Sequence, residues 1–518
     1  MKTTSPSPVF RDMGQHGFDP ETDLSSDVLI IGSGMGGAAF AAGLASTGLK
    51  VRMLEAGDFI PDAPDNRTPQ AVYHEMRFHS RDRWLDKNDR AFVPGTYEWV
   101  GGNSKFFGAV LYRFREIDFH ERHYAEGISP AWPFDYGELQ PWYEKAERML
   151  HVRGVTGEDS TEPSGPYGYD FPKVPDEPAI AELRRRLEID GGIGTATLPL
   201  GVDTDAWLAE GQGPWDGYPD ATCQGKMEAE SRLLPLAAQN KRFKLITSAR
   251  ATRLLVEPGG SRIASVVFER DGREWTHNSK LVVVAAGAVN SAALLLRSGV
   301  ANSSDQVGRN FMNHIFSVLI AIDPRFRNTS AYQKTITSNA FYDTQNDTGQ
   351  ALGNIQLLGR LYGDTLAHDV KYLPRFALNW IADHSAHFFL QTEDVPKPEN
   401  RVTLKGDRIK LEWHRDHIPT HQTFVKRAKQ LLRDARFPIV LHRLMDEALP
   451  YHQCGTVCMG SDSKTSVLNP QNVSWDHPNL IVADASALVS SAGVNPALTV
   501  AALSLRAAHH ALDRFAQL

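Results

Sequence analysis

The chain holds 518 residues, too many for one ordinary core of ~100 to 200 residues, so two large domains, or one discontinuous domain carrying another, are expected. Apolar residues make up 42% and charged residues 23%, as in a soluble globular protein, and a formal net charge of -7 argues against nucleic acid or an acidic membrane surface as partner. No stretch approaches the ~20 apolar residues of a membrane helix, and the polar, proline-broken start lacks the apolar run of ~7 to 15 residues of a secretory signal. A cytoplasmic location is the expectation. Cys223, Cys454 and Cys458 are too few for an all-cysteine tetrahedral metal site and read as buried thiols.

Residues 1–22 read as a flexible arm. Asp27 to Ile31 is a short apolar strand that runs into Gly32-Ser33-Gly34-Met35-Gly36-Gly37 and an alanine-rich helix. In such a unit Gly32 permits the tight turn, Gly34 lets backbone approach a diphosphate, and Gly37 lets the helix pack closely on the sheet. Unpaired amides and the dipole at the helix N-terminus favour the diphosphate's charge. A second strand, Lys50 to Leu54, delivers Glu55 about 18 residues after Gly37, near the ~20 at which a carboxylate meets the adenosine ribose. Strand, glycines, helix, strand and acid in this order predict an adenine dinucleotide site.

Further on, Trp99 to Ala109, containing Gly101, Gly102, Asn103 and Ser104, suits backbone passing along a flat ligand or a turn beneath aromatics. Residues 132–150 begin as a turn and continue as an amphipathic helix. Residues 154–178, rich in Gly, Pro, Asp and Ser, form a linker, a lid or a disordered loop. Beta patterns cover 243–256 and 263–275, with a hairpin turn at 270–273, and a strand at 280–285 followed by a helix through 291–296 extends the first domain to about residue 300. Strands at 315–322, 352–358, 388–392, 402–404 and 409–413 predict a largely antiparallel sheet, followed by a helix at 420–434. From 445 the chain returns, with a strand at 480–483 and a last helix from Pro496 to about 515. The predicted fold is a discontinuous α/β Rossmann-like domain (23–300 and 445–518, with a lid or loop region at about 60–180) plus an α+β substrate domain at 301–444. Open α/β sheets place ligands where the strand ends at Asp484 and the helix begins near Asn495. Alone, His452 and Asn495 fit a structural histidine and a helix cap more readily than a catalytic pair. His384 and His387 lack a third ligand, so no metal site is expected.

GSGMGG with Glu55, GGNS at 101–104, AAGAVNSAALLLRSG at 285–299, GRNFMNH at 308–314, HQCGTVCMG at 452–460 and DASALVSSAGVNPALTVAALSLRAAHHAL at 484–512 resemble, in order and over nearly the whole chain, the glucose-methanol-choline (GMC) family of FAD oxidoreductases. The segment WPFDYGELQPWYEKAE further resembles the branch containing pyranose oxidases and bacterial glycoside 3-oxidases. The resemblance implies FAD held by Gly32, Gly34, Gly37 and Glu55, passed by Gly102, Asn103 and Ser104, and met again by Asp484, Ala485 and the residues around Asn495. It makes His452 the base and Asn495 its partner on the substrate oxygen, with hydride passing to flavin N5. Phe106 stands where covalently flavinylated relatives carry histidine, so a non-covalent FAD is expected unless His120 or another residue takes that role. The implied substrate is a sugar or glycoside oxidised at a secondary ring hydroxyl, carbon 3 favoured over carbon 2, with oxygen or a quinone as acceptor. A nonsugar alcohol is the alternative. Gln356 and Gln391, on the antiparallel sheet, are substrate candidates because an amide both donates and accepts. An NAD(P)-dependent enzyme and an inactive flavoprotein are the competing classes, and the first would have little use for the C-terminal flavin loop.

Overall fold

The computed structural model describes residues 9–163, 168–209, 216–344, 349–446 and 451–515. Strand β1 (Ser25–Ile31) lies inside a seven-stranded sheet, and Val28 to Ile31 are all buried, as a parallel strand between helical layers must be. Across the sheet run β3 (Phe243–Ile246), β2 (Val51–Leu54), β1, β6 (Arg273–Val284), β5 (Ile263–Arg270) and β4 (Arg250–Val256), with Leu480–Val482 also pairing with β6. Neighbours from β3 to β6 are parallel, as is Leu480–Val482, whereas β5 pairs antiparallel with both β4 and β6. The two stretches read at 263–275 and 280–285 therefore overlap one long strand, β6, whose first half completes a hairpin and whose second half is the Rossmann strand. Asp271 and Gly272 both take positive φ, as the tight turn between β5 and β6 requires. The stretch read at 243–256 divides between parallel β3 and antiparallel β4. A strand from residues 480–482 closes this Rossmann-like domain, which is discontinuous in sequence.

Helix α1 (Met35–Gly43) has no solvent face, because it is held between the sheet and the last helix, Ala497–Phe515. Small residues let these layers approach. A Cβ on Gly36 would stand 1.9 Å from the Ala483 carbonyl oxygen, and one on Gly43 would stand 2.8 Å from Ala508 Cβ. The Gly36 contact is with backbone, which cannot swing aside. Gly36→Ala should destabilise the fold by more than the ~1 to 3 kcal/mol of ordinary overpacking and leave purified protein poor in FAD, read as melting temperature and flavin content.

The second sheet runs β11 (Ile439–Leu444), β7 (Ile315–Ile322), β10 (Ser385–Thr392), β9 (Asn354–Leu357), β8 (Ile336–Ser338) and then Ala196–Thr197, all antiparallel. Leu319, Ala321, Phe388 and Leu390 pack with the helix Ile418–Asp434 in one core. The alternate residues Phe316, Val318 and Phe389 face a cavity on the other side, as a period of two demands. The strands predicted at 402–404 and 409–413 belong elsewhere: Arg401–Lys405 and Arg408–Glu412 form a four-stranded sheet with Trp84–Leu85 and Ala91–Phe92.

Residues 9–22 are not a free arm. Phe10 is fully buried, Arg11 pairs with Glu230 at 2.8 Å, and Gly17 donates to the Leu245 carbonyl. Residues 1–8 of that arm and 164–167 of the 154–178 loop lie outside the described residues. The rest of that loop is docked: Arg153–Gly154 pairs with Phe171–Pro172, and Asp159 meets Arg115 at 2.6 Å. Among the described residues no helix is long and apolar enough to cross a membrane.

Candidate functional site

A cavity of ≈ 1820 Å³ runs from the glycine-rich turn after β1, past residues 102–104, to His452 and Asn495 beneath the second sheet. One small molecule needs about 300 to 1,000 Å³, so this space suits a dinucleotide and a second ligand end to end. Its dinucleotide end is built for close approach. Gly32, at φ +105, would place a Cβ 2.3 Å from the Ala285 carbonyl, while Gly34, at the start of α1, faces open space within 4 Å. Glu55 lines the cavity, and its Oε2 accepts from Ser33 N at 2.9 Å and Ser33 Oγ at 2.7 Å while Oε1 accepts from Gly57 N at 2.9 Å. Burial pushes its pKa up. A bare helix N-terminus, an open glycine and a buried carboxylate with spare lone pairs fit the diphosphate and ribose of FAD.

Other sequence-predicted contacts take different parts. Gly37 does not line the cavity: a Cβ there would strike the Gly32 oxygen at 2.0 Å, so it sets helix packing. Gly102, at φ +55, sits against Gly34. The Asn103 side chain bridges Gly95 O and Tyr97 N, and Ser104 Oγ donates to Gly101 O at 2.6 Å, so both shape the loop whose surface lines the cavity. Asp484 accepts from Gly287 N, Ser291 Oγ and Ser486 N, tying the start of helix α2 (Ala288–Ser298) to the return strand beside Ala485. Its carboxylate is a structural clamp at the cavity wall.

At the far end His452 and Asn495 line the same cavity. His314, at the end of the GRNFMNH segment, decides the state of His452. Its Nε2 lies 2.8 Å from the Ala492 carbonyl, which only accepts, so that nitrogen carries a hydrogen. Burial pushes the His314 pKa down to about 4, so the ring is neutral and its Nδ1 is a lone pair. That Nδ1 lies 2.9 Å from His452 Nδ1, which must then donate. His452 is itself held well below its usual pKa by burial, with His314 and the Lys334 charge adding to it. The result is a neutral imidazole with Nδ1–H engaged and Nε2 bare, able to take a proton in the cavity. Asn313 Oδ1 fixes its backbone amide at 2.8 Å and Phe316 meets its ring edge-on. Ala492 belongs to the loop that carries Asn495, so His314 also couples the two sides of the site. His314→Leu should slow catalysis on the order of 10²-fold, less than the ~10⁴-fold of a wrong tautomer in a serine protease triad, with little change in KM. Steady-state kinetics check this.

Gln356 and Gln391, read as substrate contacts, sit behind Asn495 and do not line the cavity. Their Nε2 atoms lie 3.0 and 3.3 Å from Asn495 Oδ1. With its oxygen so engaged, the Asn495 amide nitrogen is the end able to donate to a ligand. His384 stacks on Trp380, and His387 bonds Ser385 Oγ and Leu361 N. Cys223, Glu228 and Glu230 cluster closely enough to hold a cation, and the Lys105 ammonium fills that place, 3.0 Å from both Cys223 Sγ and Glu228 Oε1. Phe106 stacks on Tyr97 at 3.9 Å, and His120 is not part of the cavity wall.

Sequence profiles described as GMC oxidoreductase match residues 210–316 and 396–504, and one described as an NAD(P)-binding Rossmann-like domain matches 30–89. The chain is 26% identical to 2-methyl-1,2-propanediol dehydrogenase of Mycolicibacterium austroafricanum, over 95% of this chain and 96% of that one. It is 27% identical to the fructose dehydrogenase large subunit of Gluconobacter japonicus, over 95% and 99%. The crystal structure of pyridoxine 4-oxidase from Mesorbium loti shares the fold, with a TM-score of 0.65 at 18% identity over 94% of this chain and 99% of that one. A dinucleotide cradle at one end of the cavity, a neutral histidine at the other, and matches running the length of the chain agree: it belongs to the GMC oxidoreductase family, as an FAD-dependent oxidoreductase of CH–OH groups.

Proposed function

We propose that the protein oxidises a secondary ring hydroxyl of a sugar or glycoside to a ketone, at carbon 3, with His452 as base and Asn495 as its partner on the reacting oxygen. The observation that carries this reading is the bare Nε2 of a neutral His452 sharing a cavity with Asn495. His452 takes the hydroxyl proton while the Asn495 amide donates to the same oxygen, stabilising its growing negative charge and orienting the carbon–hydrogen bond. FAD, when bound, supplies the hydride acceptor. Phe316, Val318 and Phe389 offer an apolar wall to the C–H face of a ring, and the Lys334–Asp216 ion pair offers polar groups to its hydroxyls. Likeness to the fructose dehydrogenase large subunit supports a sugar. Likeness to 2-methyl-1,2-propanediol dehydrogenase favours, as a second reading, a small nonsugar alcohol. Oxygen or a quinone re-oxidises the cofactor, and the enzyme works in the cytoplasm.

Anaerobic mixing of the yellow protein with glucose, methyl glucosides and 2-methyl-1,2-propanediol tests the reading. Bleaching by the sugars, with a 3-keto product, is the expected result. Product oxidised at carbon 2 would make it a pyranose 2-oxidase, and bleaching by the diol alone would favour the second reading.

The FAD is held without a covalent bond, in keeping with Phe106 packed on Tyr97. Acid precipitation should leave a yellow supernatant and a colourless pellet, and flavin retained in the pellet would overturn this.

A further inference from the structure

Asn495 can serve as a donor only if its amide faces one way, and two separate lines of acceptors settle which way. The first begins at a carboxylate. Asp159 Oδ2, paired with Arg115 at 2.6 Å, accepts from Asn339 Nδ2 at 2.7 Å. A carboxylate takes hydrogens and gives none, so Asn339 must turn its nitrogen to Asp159 and its oxygen away. That oxygen accepts from Asn354 Nδ2 at 2.7 Å. The same nitrogen also donates to Thr337 Oγ1 at 2.8 Å, and Thr337 spends its own hydrogen on the Ile355 carbonyl. Asn354 Oδ1 is thereby left to accept from Gln356 Nε2 at 3.1 Å, and Gln356 Nε2 lies 3.0 Å from Asn495 Oδ1. The second line is shorter. The Gly493 carbonyl binds Gln391 Nε2 at 3.0 Å, and that nitrogen reaches Asn495 Oδ1 at 3.3 Å. Inverting Asn495 would set its NH₂ against two NH₂ groups, each pinned by an acceptor that cannot reverse.

We infer that Asp159, Asn339 and Asn354 are positioning residues, which act through Gln356 to hold the Asn495 amide with its donor end toward the substrate. The inference rests on Asn495 acting as the substrate's donor, as proposed above. It also gives the docked part of the 154–178 loop a role, since Asp159 is the fixed end of the line and Thr161 Oγ1 braces it at 2.8 Å. A side chain far from the cavity thus sets the polarity of one inside it. Such lines are cooperative, because every amide turned the wrong way leaves two buried groups unmatched.

The test is a double-mutant cycle on FAD-loaded protein, reading anaerobic flavin bleaching with glucose, methyl β-D-glucoside and 2-methyl-1,2-propanediol as probes. Asn354→Leu should lower the bleaching rate about tenfold in the parent and less than about twofold in an Asn495→Ala background, because the line then has nothing to orient. A tenfold loss in both backgrounds would mean that Asn354 only supports the sheet and would overturn the inference. An Asn495→Ala change that costs nothing would instead remove the donor role on which it rests. Gln356→Glu guards against an Asn354 variant that does not fold. Protonated, the new carboxyl can still donate to Asn495 Oδ1, but ionised it cannot. Activity should therefore fall as pH rises through that carboxyl's pKa, with a limb absent from the parent, and an unchanged pH profile would overturn the inference. If none of the three probes bleaches the flavin, neutron diffraction from deuterated crystals reads the amide directly: Nδ2 of Asn495 toward Gln356 overturns the inference, and Oδ1 toward Gln356 upholds it.

Discussion

Replacing His452 with alanine should slow anaerobic flavin reduction by about 10²- to 10⁴-fold, the range that one positioned general base commands, and leave the protein yellow. The two halves of this result come from opposite ends of the cavity. FAD would be held by the glycine-rich turn, Glu55 and the 102–104 loop, and the hydrogen bonds that shape these groups do not involve His452. His452 contacts His314, Asn313 and Phe316 instead. The same assignment fixes the sign of a pH effect. A base whose pKa is lowered is neutral, and so active, at every pH above that lowered value. Burial, with His314 and the Lys334 charge adding to it, holds His452 well below 6.5, so the reductive rate should stay level as pH falls through 6.5 and decline only in more acidic solution. A limb centred near 6.5, or an alanine variant reduced at the parent rate, would sink the role given to His452.

What could be read without coordinates was local. The β1 strand, its glycines, α1 and Glu55 are adjacent in sequence and obey spacing rules, so both fold and ligand class follow from them. Even there, Gly36 is as constrained as Gly37, because Ala483, whose carbonyl crowds it, lies more than four hundred residues away in sequence and no periodicity announces it. His452 and Asn495 came only through family likeness. Their supports are the illegible part. His314 meets His452 across 138 residues, beside an antiparallel bridge between Met312 and Cys454, and Gln356 on its strand meets Asn495 in a loop 139 residues away, and local pattern encodes neither meeting. Strand β11 escaped because, apart from Val440, its residues are exposed, which removes the alternation that marks a half-buried strand. Residues 402–404 and 409–413 have that alternation and do form strands, but nothing in it names the sheet that they join.

Asn495→Asp should cost about 10²- to 10³-fold in kcat, as removal of one preorganised donor does elsewhere, even though it changes a single atom of the side chain. The two glutamine Nε2 groups would still find an oxygen, so the loop at 491–495 would keep its anchors and the protein its fold. Toward the cavity, however, the amide donor would become a second carboxylate oxygen. It could not donate to the substrate, and its charge would oppose the negative charge that develops as His452 removes the proton. The loss should therefore equal or exceed that of Asn495→Ala, which removes the donor without adding a charge. Had Asn495 presented its carbonyl to the substrate, aspartate would be the milder change, since it keeps an acceptor in that place. Comparing kcat of the two variants against the parent, with flavin content and melting temperature as controls, separates the two orientations. Aspartate milder than alanine would reverse the polarity assigned to this half of the site.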